Sequence, residues 1–209
     1  MKKNAVHLAL FLVALIYAAT FTIAKEVMPQ YIHPFGLIVI RVWGATILLW
    51  TTHALVSKDK ITSKADFKEL AYCSVFGIAA NMLLFFKGLS LTTPINGAVI
   101  MVMTPLFVSV FAYLVLKEAF GWKKILGLCL GLGGAIILLL QSANKYGEGS
   151  LSGDIMVMMN AIIYSYYLII AKPLIHKYKP LTVIKWTFLF GAILVLPFGF
   201  SDLMQVQWS

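Results

Sequence analysis

The chain has 209 residues, 61% of them hydrophobic and 12% charged, with a mean hydropathy of +0.90 and a formal net charge of +9. A soluble domain carries about 25% charged and 45–50% apolar residues, so the composition excludes a soluble globular enzyme and equally a disordered chain. A spanning helix takes roughly 20 residues. The apolar runs here are long and continuous, unlike the alternating segments of about ten residues in an outer-membrane barrel, and they predict an all-α integral membrane protein with seven transmembrane helices.

The first run covers about 5–25 and follows Lys2 and Lys3. At ~20 residues it exceeds the ~7–15 of a cleaved leader's apolar core, so it is read as a retained helix. Tyr17 lies at its middle, where a phenol needs a hydrogen-bond partner or a wet cavity, and Lys25 lies at its end. The second run, about 35–55, begins beside Pro34 and holds Arg41, the sole arginine. At 1.5 Å per residue Arg41 sits about 9 Å along that helix, where a charge either faces a cavity or a partner or snorkels to the interface. The third run, about 69–87, carries Asn81, and the fourth, about 94–116, carries Asn96 and Pro105. Pro105 removes a backbone donor and is expected to kink its helix, and interrupted helices border transporter sites.

The fifth run, about 122–141, places Gly127, Gly131 and Gly134 on one face suited to close helix contact. The sixth, about 153–171, carries Asn160 and Tyr164 and ends at Lys172; the seventh, about 181–200, carries Lys185 near its start. Asn81, Asn96 and Asn160 serve either as interhelical hydrogen-bonding groups or as contacts for a substrate. The acids Glu26, Asp59, Asp66, Glu69, Glu118, Glu148, Asp154 and Asp202 all fall at run ends or between runs, so no carboxylate is expected to act as an embedded proton relay. Cys73 and Cys129 lack CxxC spacing and a histidine partner and read as packing residues.

Twelve lysines fall on the side of the membrane that carries the N-terminus and three on the other, with Arg41 and Lys185 inside runs. Lysine-rich segments stay cytoplasmic, which puts the N-terminus in the cytoplasm. An internal repeat adds to this. Ala14-Leu15-Ile16-Tyr17 matches Ala161-Ile162-Ile163-Tyr164, and Ile23-Ala24-Lys25 matches Ile170-Ala171-Lys172 at the same offset of 147. Five helices separate the mates, so the repeats are inverted in the membrane, an architecture of many secondary transporters. The division is residues 1–145 as a complete five-helix repeat and 150–209 as the first two helices of a second. Tyr17 and Tyr164 are repeat mates at mid-helix. Lys25 and Lys172 are mates at opposite faces and are expected, with Lys185, to flank the two mouths of one pathway.

Further motifs carry a family resemblance. Ala18-Ala19-Thr20-Phe21-Thr22-Ile23-Ala24-Lys25, the Pro34 to Arg41 stretch, Asn81 to Leu89, Asn96-Gly97-Ala98, Thr104-Pro105-Leu106, Leu116-Lys117-Glu118 and the glycines from Gly127 to Gly134 occur in this order. Together they resemble EamA-type permeases of the drug/metabolite transporter superfamily over essentially the whole chain. The resemblance implies ten helices in two inverted repeats, so the chain would be about three helices short. It also implies a permease that moves small metabolites, amino-acid-like or drug-like, across the bacterial inner membrane by alternating access. The expected lining residues are Tyr17, Arg41, Asn81, Asn96 and Tyr164.

Other classes fit less well. There is no HExxH, GxSxG or embedded Asp pair, so no enzyme is expected, and no cofactor or metal is implied. A retinal protein would need a carboxylate counter-ion that the third run lacks. The expected partners are a small solute and the lipid bilayer, without nucleic acid; a homodimer is left open. The alternative reading is a membrane assembly subunit that does not transport by itself or needs a partner chain.

Overall fold

The computed structural model describes residues 3–28, 30–117, 121–146 and 148–206, except for the side chains at 3–5, 135, 136, 138–146 and 148–150. Lys2, Pro29, Glu118 and Ser209 lie outside the described residues, as do the side chains of Lys3, Lys145 and Glu148. The chain forms helices α1 (Lys3–Val27), α2 (Pro34–Val56), α3 (Lys64–Ser74), α4 (Ala80–Leu91), α5 (Pro94–Met101), α6 (Thr104–Leu116), α7 (Trp122–Tyr146), α8 (Glu148–Ile170), α9 (Lys172–Lys177) and α10 (Pro180–Met204), with no strand among the described residues. Six segments of described residues are long and apolar enough to cross a membrane: Val6–Val27, Pro34–Val56, Lys64–Leu91, Pro94–Leu116, Leu151–Lys177 and Pro180–Met204. The remaining apolar run is helical as α7.

Helix starts follow local chemistry. Pro34, Pro94 and Pro180 open their helices, where the missing N–H costs nothing. Ser63 and Thr93 cap α3 and α5 by accepting from the backbone N–H of Ala65 and Asn96. The third run is one long helix broken by a single π-helical turn, Val75–Ala79, between α3 and α4. The fourth run is interrupted at Val102–Met103, and Pro105 stands in the first turn of the new helix α6. The expected kink is therefore a break placed just ahead of the proline. Pro105 cannot donate to the Met101 carbonyl four residues back, and the Thr104 hydroxyl does so instead at 2.7 Å. The Thr104 carbonyl in turn accepts from Ser165 Oγ of α8 at 3.1 Å.

Two antiparallel pairs make the core. In one, α2 lies against α10, from Gly36 beside Asp202 at one end to His53 beside Thr182 at the other. In the second, α4 and the π turn lie against α8: Gly88 meets Gly153, Asn160 Nδ2 donates to the Asn81 carbonyl at 2.8 Å, and Gly77 lies under the Tyr167 ring. The main apolar cluster joins both pairs through Ile38, Val42, Phe86, Leu89, Ala192 and Val195. Helix α1 joins it only near its C-terminal end, through Phe21 and Ala24; earlier in the helix Leu8, Phe11, Val13 and Ile16 are all more than half exposed. In a membrane such side chains face lipid at no cost, since acyl chains are as apolar as leucine. Gly131 of α7 lies against Leu106 of α6, while nothing among the described residues stands close to Gly134.

Candidate functional site

A cavity of about 370 Å³ opens between α1, α2, α4, α5 and α8. Its polar lining is Tyr17, Thr20, Arg41, Asn81, Asn160 and Tyr164; Met82, Phe85, Phe86 and Met101 form the apolar wall. Four of the five lining residues expected from sequence, Tyr17, Arg41, Asn81 and Tyr164, thus stand around one space. The arrangement follows helical spacing: residues three or four apart share a face. Asn81 and Phe85 project together from α4, and Asn160 and Tyr164 from α8. A second cavity of about 650 Å³, bounded by α5 and α6, shares Tyr17, Met101 and Tyr164 with the first.

Aromatic edges fix the wall. Tyr17 meets Phe21, Phe21 meets Phe85 and Phe85 meets Phe86, at centroid distances of 5.3, 5.3 and 5.1 Å and near-perpendicular planes, a favoured geometry for aromatic pairs. The Arg41 guanidinium ends this row, 4.9 Å from the Phe86 centroid. Among the described residues no carboxylate pairs with Arg41. The ring holds its plane by a cation–π contact without consuming its five N–H donors.

Asn96 lines neither of these cavities. It lies one step away with Asp154, whose carboxylate accepts from the Thr92 hydroxyl and, at 3.3 Å, from Asn96 Nδ2. Asp154 is 0% exposed, although the sequence places it only near a run end. Its side chain is taken up by the turn between α4 and α5, so nearness to a helix end did not mean nearness to water. The signal that could have revealed it is the neighbouring Gly153, which lets α8 approach α4 closely enough to bury the adjacent aspartate.

The lysines divide by position. Lys25 Nζ donates to the carbonyls of Leu89 and Ser90 at 3.1 and 2.8 Å and so satisfies acceptors that the last turn of α4 leaves open. Lys172 begins α9 at the opposite end of the bundle and is exposed. Lys185 is 6% exposed, 3.0 Å from His53 Nδ1 and 4.6 Å from the Trp50 centroid. His53 Nε2 lies 3.1 Å from Thr182 Oγ1. Lysine–imidazole contact spends one ring nitrogen as an acceptor and leaves the other to donate to Thr182.

At the same end Asp66 pairs with Lys177 at 2.6 Å and with the Tyr178 hydroxyl. Asp59, between the spans, accepts the Lys179 backbone N–H at 3.0 Å. That bond, with smaller help from Thr182, Lys179 and His53, holds its carboxyl below the ordinary aspartate range. A depressed carboxylate stabilises the fold above its unfolded pKa, near 3.9, and the gain is lost as pH falls through the folded value. Asp59→Asn is therefore expected to melt at a lower temperature than wild type at pH 7. The two melting curves should converge as pH falls through the lowered folded value. A gap that stays constant with pH would contradict this.

The EamA-like transporter family profile matches residues 4–140 and 151–208. An uncharacterized transporter, YyaM, of Bacillus subtilis (strain 168) is 26% identical over 199 residues, covering 92% of this chain and 64% of the relative. An uncharacterized transporter of Archaeoglobus fulgidus is 26% identical over 197 residues, with 92% and 66% covered. One of Clostridium kluyveri is 27% identical over 204 residues, with 94% and 64% covered. The chain thus spans a little under two thirds of the length of these relatives. No solved structure matches it significantly. With its apolar helices and a profile match over nearly all its length, the chain is a multi-pass membrane protein and belongs to the EamA-like transporter family.

Proposed function

We propose that the chain forms the solute-binding part of an inner-membrane permease for small carboxylate-bearing metabolites, amino-acid-like in size, working by alternating access. The carrying observation is Arg41: a guanidinium two turns into a spanning helix, facing the cavity, with no carboxylate partner among the described residues. A charge at that depth is costly unless it answers a ligand charge, and the planar fork suits a carboxylate. The cavity volume of about 370 Å³ is at the small end for ligand sites, ~300–1,000 Å³.

The lysine distribution supports a cytoplasmic N-terminus, which would make the Lys177 end inner and the Lys25 end outer. On this reading residues 1–145 and 150–209 belong to two inverted repeats. Lys25 would steady the outer mouth through α4, while Lys172 and Lys185 would stand at the inner one. Asn96 would act on the pathway through Asp154 and the α4–α5 turn, and the break ahead of Pro105 would let α5 move as the site changes sides.

The test is counterflow of labelled leucine into proteoliposomes containing the chain, with direct binding measured in lipid nanodiscs. Binding together with chain-dependent counterflow is expected. Binding without flux would point to a subunit that transports only with a partner, and absence of both would overturn the proposal.

A further inference from the structure

The wall of the cavity includes a buried side chain with an acceptor left unpaired. Asn160 is 1% exposed, lines the cavity beside Tyr164, and its Oδ1 is buried with no hydrogen-bond partner among the described residues. The amide orientation is not a free choice here. Asn160 Nδ2 lies 2.8 Å from the Asn81 backbone carbonyl, which can only accept, so the NH₂ must face it and Oδ1 must face away. Turning the amide would set two acceptors against each other. The hydroxyls of Tyr17 and Tyr164 line the same space, yet neither bonds to Oδ1. Thr20 is spent on the Ile16 carbonyl at 2.9 Å.

A buried acceptor left unmade is costly, and Asn160 borders the cavity, so an occupant that reaches it can supply the missing donor. Arg41 offers only donors and Asn160 Oδ1 only an acceptor. A complementary solute therefore carries an anionic group and a hydrogen-bond donor, with an apolar body for Met82, Phe85 and Phe86. A plain carboxylate would satisfy Arg41 and leave Asn160 unpaired. Sites that hydrogen-bond a substrate N–H or O–H reject analogues lacking it far more strongly than apolar pockets reject a missing methylene.

We propose that Asn160 is a specificity-determining residue of this cavity: its Oδ1 takes an N–H or O–H of a solute whose carboxylate Arg41 holds, so that donor-bearing carboxylates are selected over plain ones. The inference rests on the proposed pairing of Arg41 with a carboxylate.

Three probes separate the two roles in nanodiscs containing the chain. Leucine has the carboxylate and the donor, 4-methylpentanoate lacks the donor, and 3-methylbutylamine lacks the carboxylate. Wild type is expected to bind leucine about 10–150-fold more tightly than 4-methylpentanoate, the range for one hydrogen bond to a charged group. In Asn160→Leu, of similar volume, that ratio is expected to fall to about threefold or less, with 4-methylpentanoate still bound. Its retention also reports that the variant has folded, and the wild-type ratio needs no variant at all. A wild-type ratio near one, or a variant that loses both probes equally while melting as wild type does, would overturn the role of Asn160 and leave that of Arg41 standing. Failure of wild type to bind either carboxylate would overturn the reading of Arg41 and this inference with it.

Discussion

Arg41→Gln is expected to lower affinity for leucine and for 4-methylpentanoate together, by about 10–150-fold, and to leave 3-methylbutylamine no weaker than in wild type. The factor corresponds to the ~1.5–3 kcal/mol of a hydrogen bond to a charged group, at tenfold per 1.4 kcal/mol. Glutamine keeps some donor capacity but not the charge, the fork or the full reach. Folding should be little affected, because Arg41 is exposed to the cavity and its contact is the face of Phe86. Arg41→Lys is expected to recover only part of the affinity, since an ammonium restores the charge without the bidentate geometry. Equal losses for all three probes would instead mark Arg41 as a structural support for the wall. Binding by isothermal calorimetry in nanodiscs, beside a thermal melt of each variant, separates the two.

Gly153→Leu is expected to be strongly damaging. A Cβ at Gly153 would stand 2.7 Å from the Gly88 carbonyl oxygen and 2.8 Å from the Thr92 backbone nitrogen. Both atoms are backbone, so relief requires that α4 and α8 separate. Separation would strain the Asn160–Asn81 bond and the hold of Asp154 on Thr92 and Asn96. Overpacking costs about 1–3 kcal/mol where side chains can yield, and here they cannot, so about 3 kcal/mol or more is expected with loss of leucine binding. Gly44→Ala is the control: nothing lies within 4 Å of its Cβ, and unchanged melting is expected. If Gly153→Leu melted and bound as wild type does, the close approach of α4 and α8 would not govern the cavity.

The spans were legible in the sequence because lipid imposes a length and a composition on each. Boundaries shifted where polar residues extend a helix past its apolar stretch, as Lys64 and Asp66 do at the start of α3. The cavity was legible in its polar members, since Tyr17, Arg41, Asn81 and Tyr164 interrupt apolar runs at mid-helix. Asn160 was visible in the same way, but what sets it apart is an orientation imposed by the Asn81 carbonyl, and no sequence position encodes a partner 79 residues away. The burial of Asp154 and of Lys185 was not legible, for one reason. Distance from a helix end measures depth in a membrane, whereas burial is decided by the neighbour, which for Lys185 is His53 and Trp50 of α2. The π turn at Val75–Ala79 left no mark in composition or spacing.

The pairing of α2 with α10 also sets an order of events during synthesis. His53 and Thr182 meet across 129 residues of sequence, so at roughly 5–20 residues per second the partner of α2 leaves the ribosome about 6–26 s after it. Through that interval His53 has neither Thr182 nor Lys185, and Thr46 has only its own helix, bonding the Val42 carbonyl. By contrast α3 and α4 wait a shorter stretch for α8. The bundle therefore closes from its middle outward, and α10 docks after the α4–α8 pair, onto a helix that has already spent many seconds with lipid on the face meant for it.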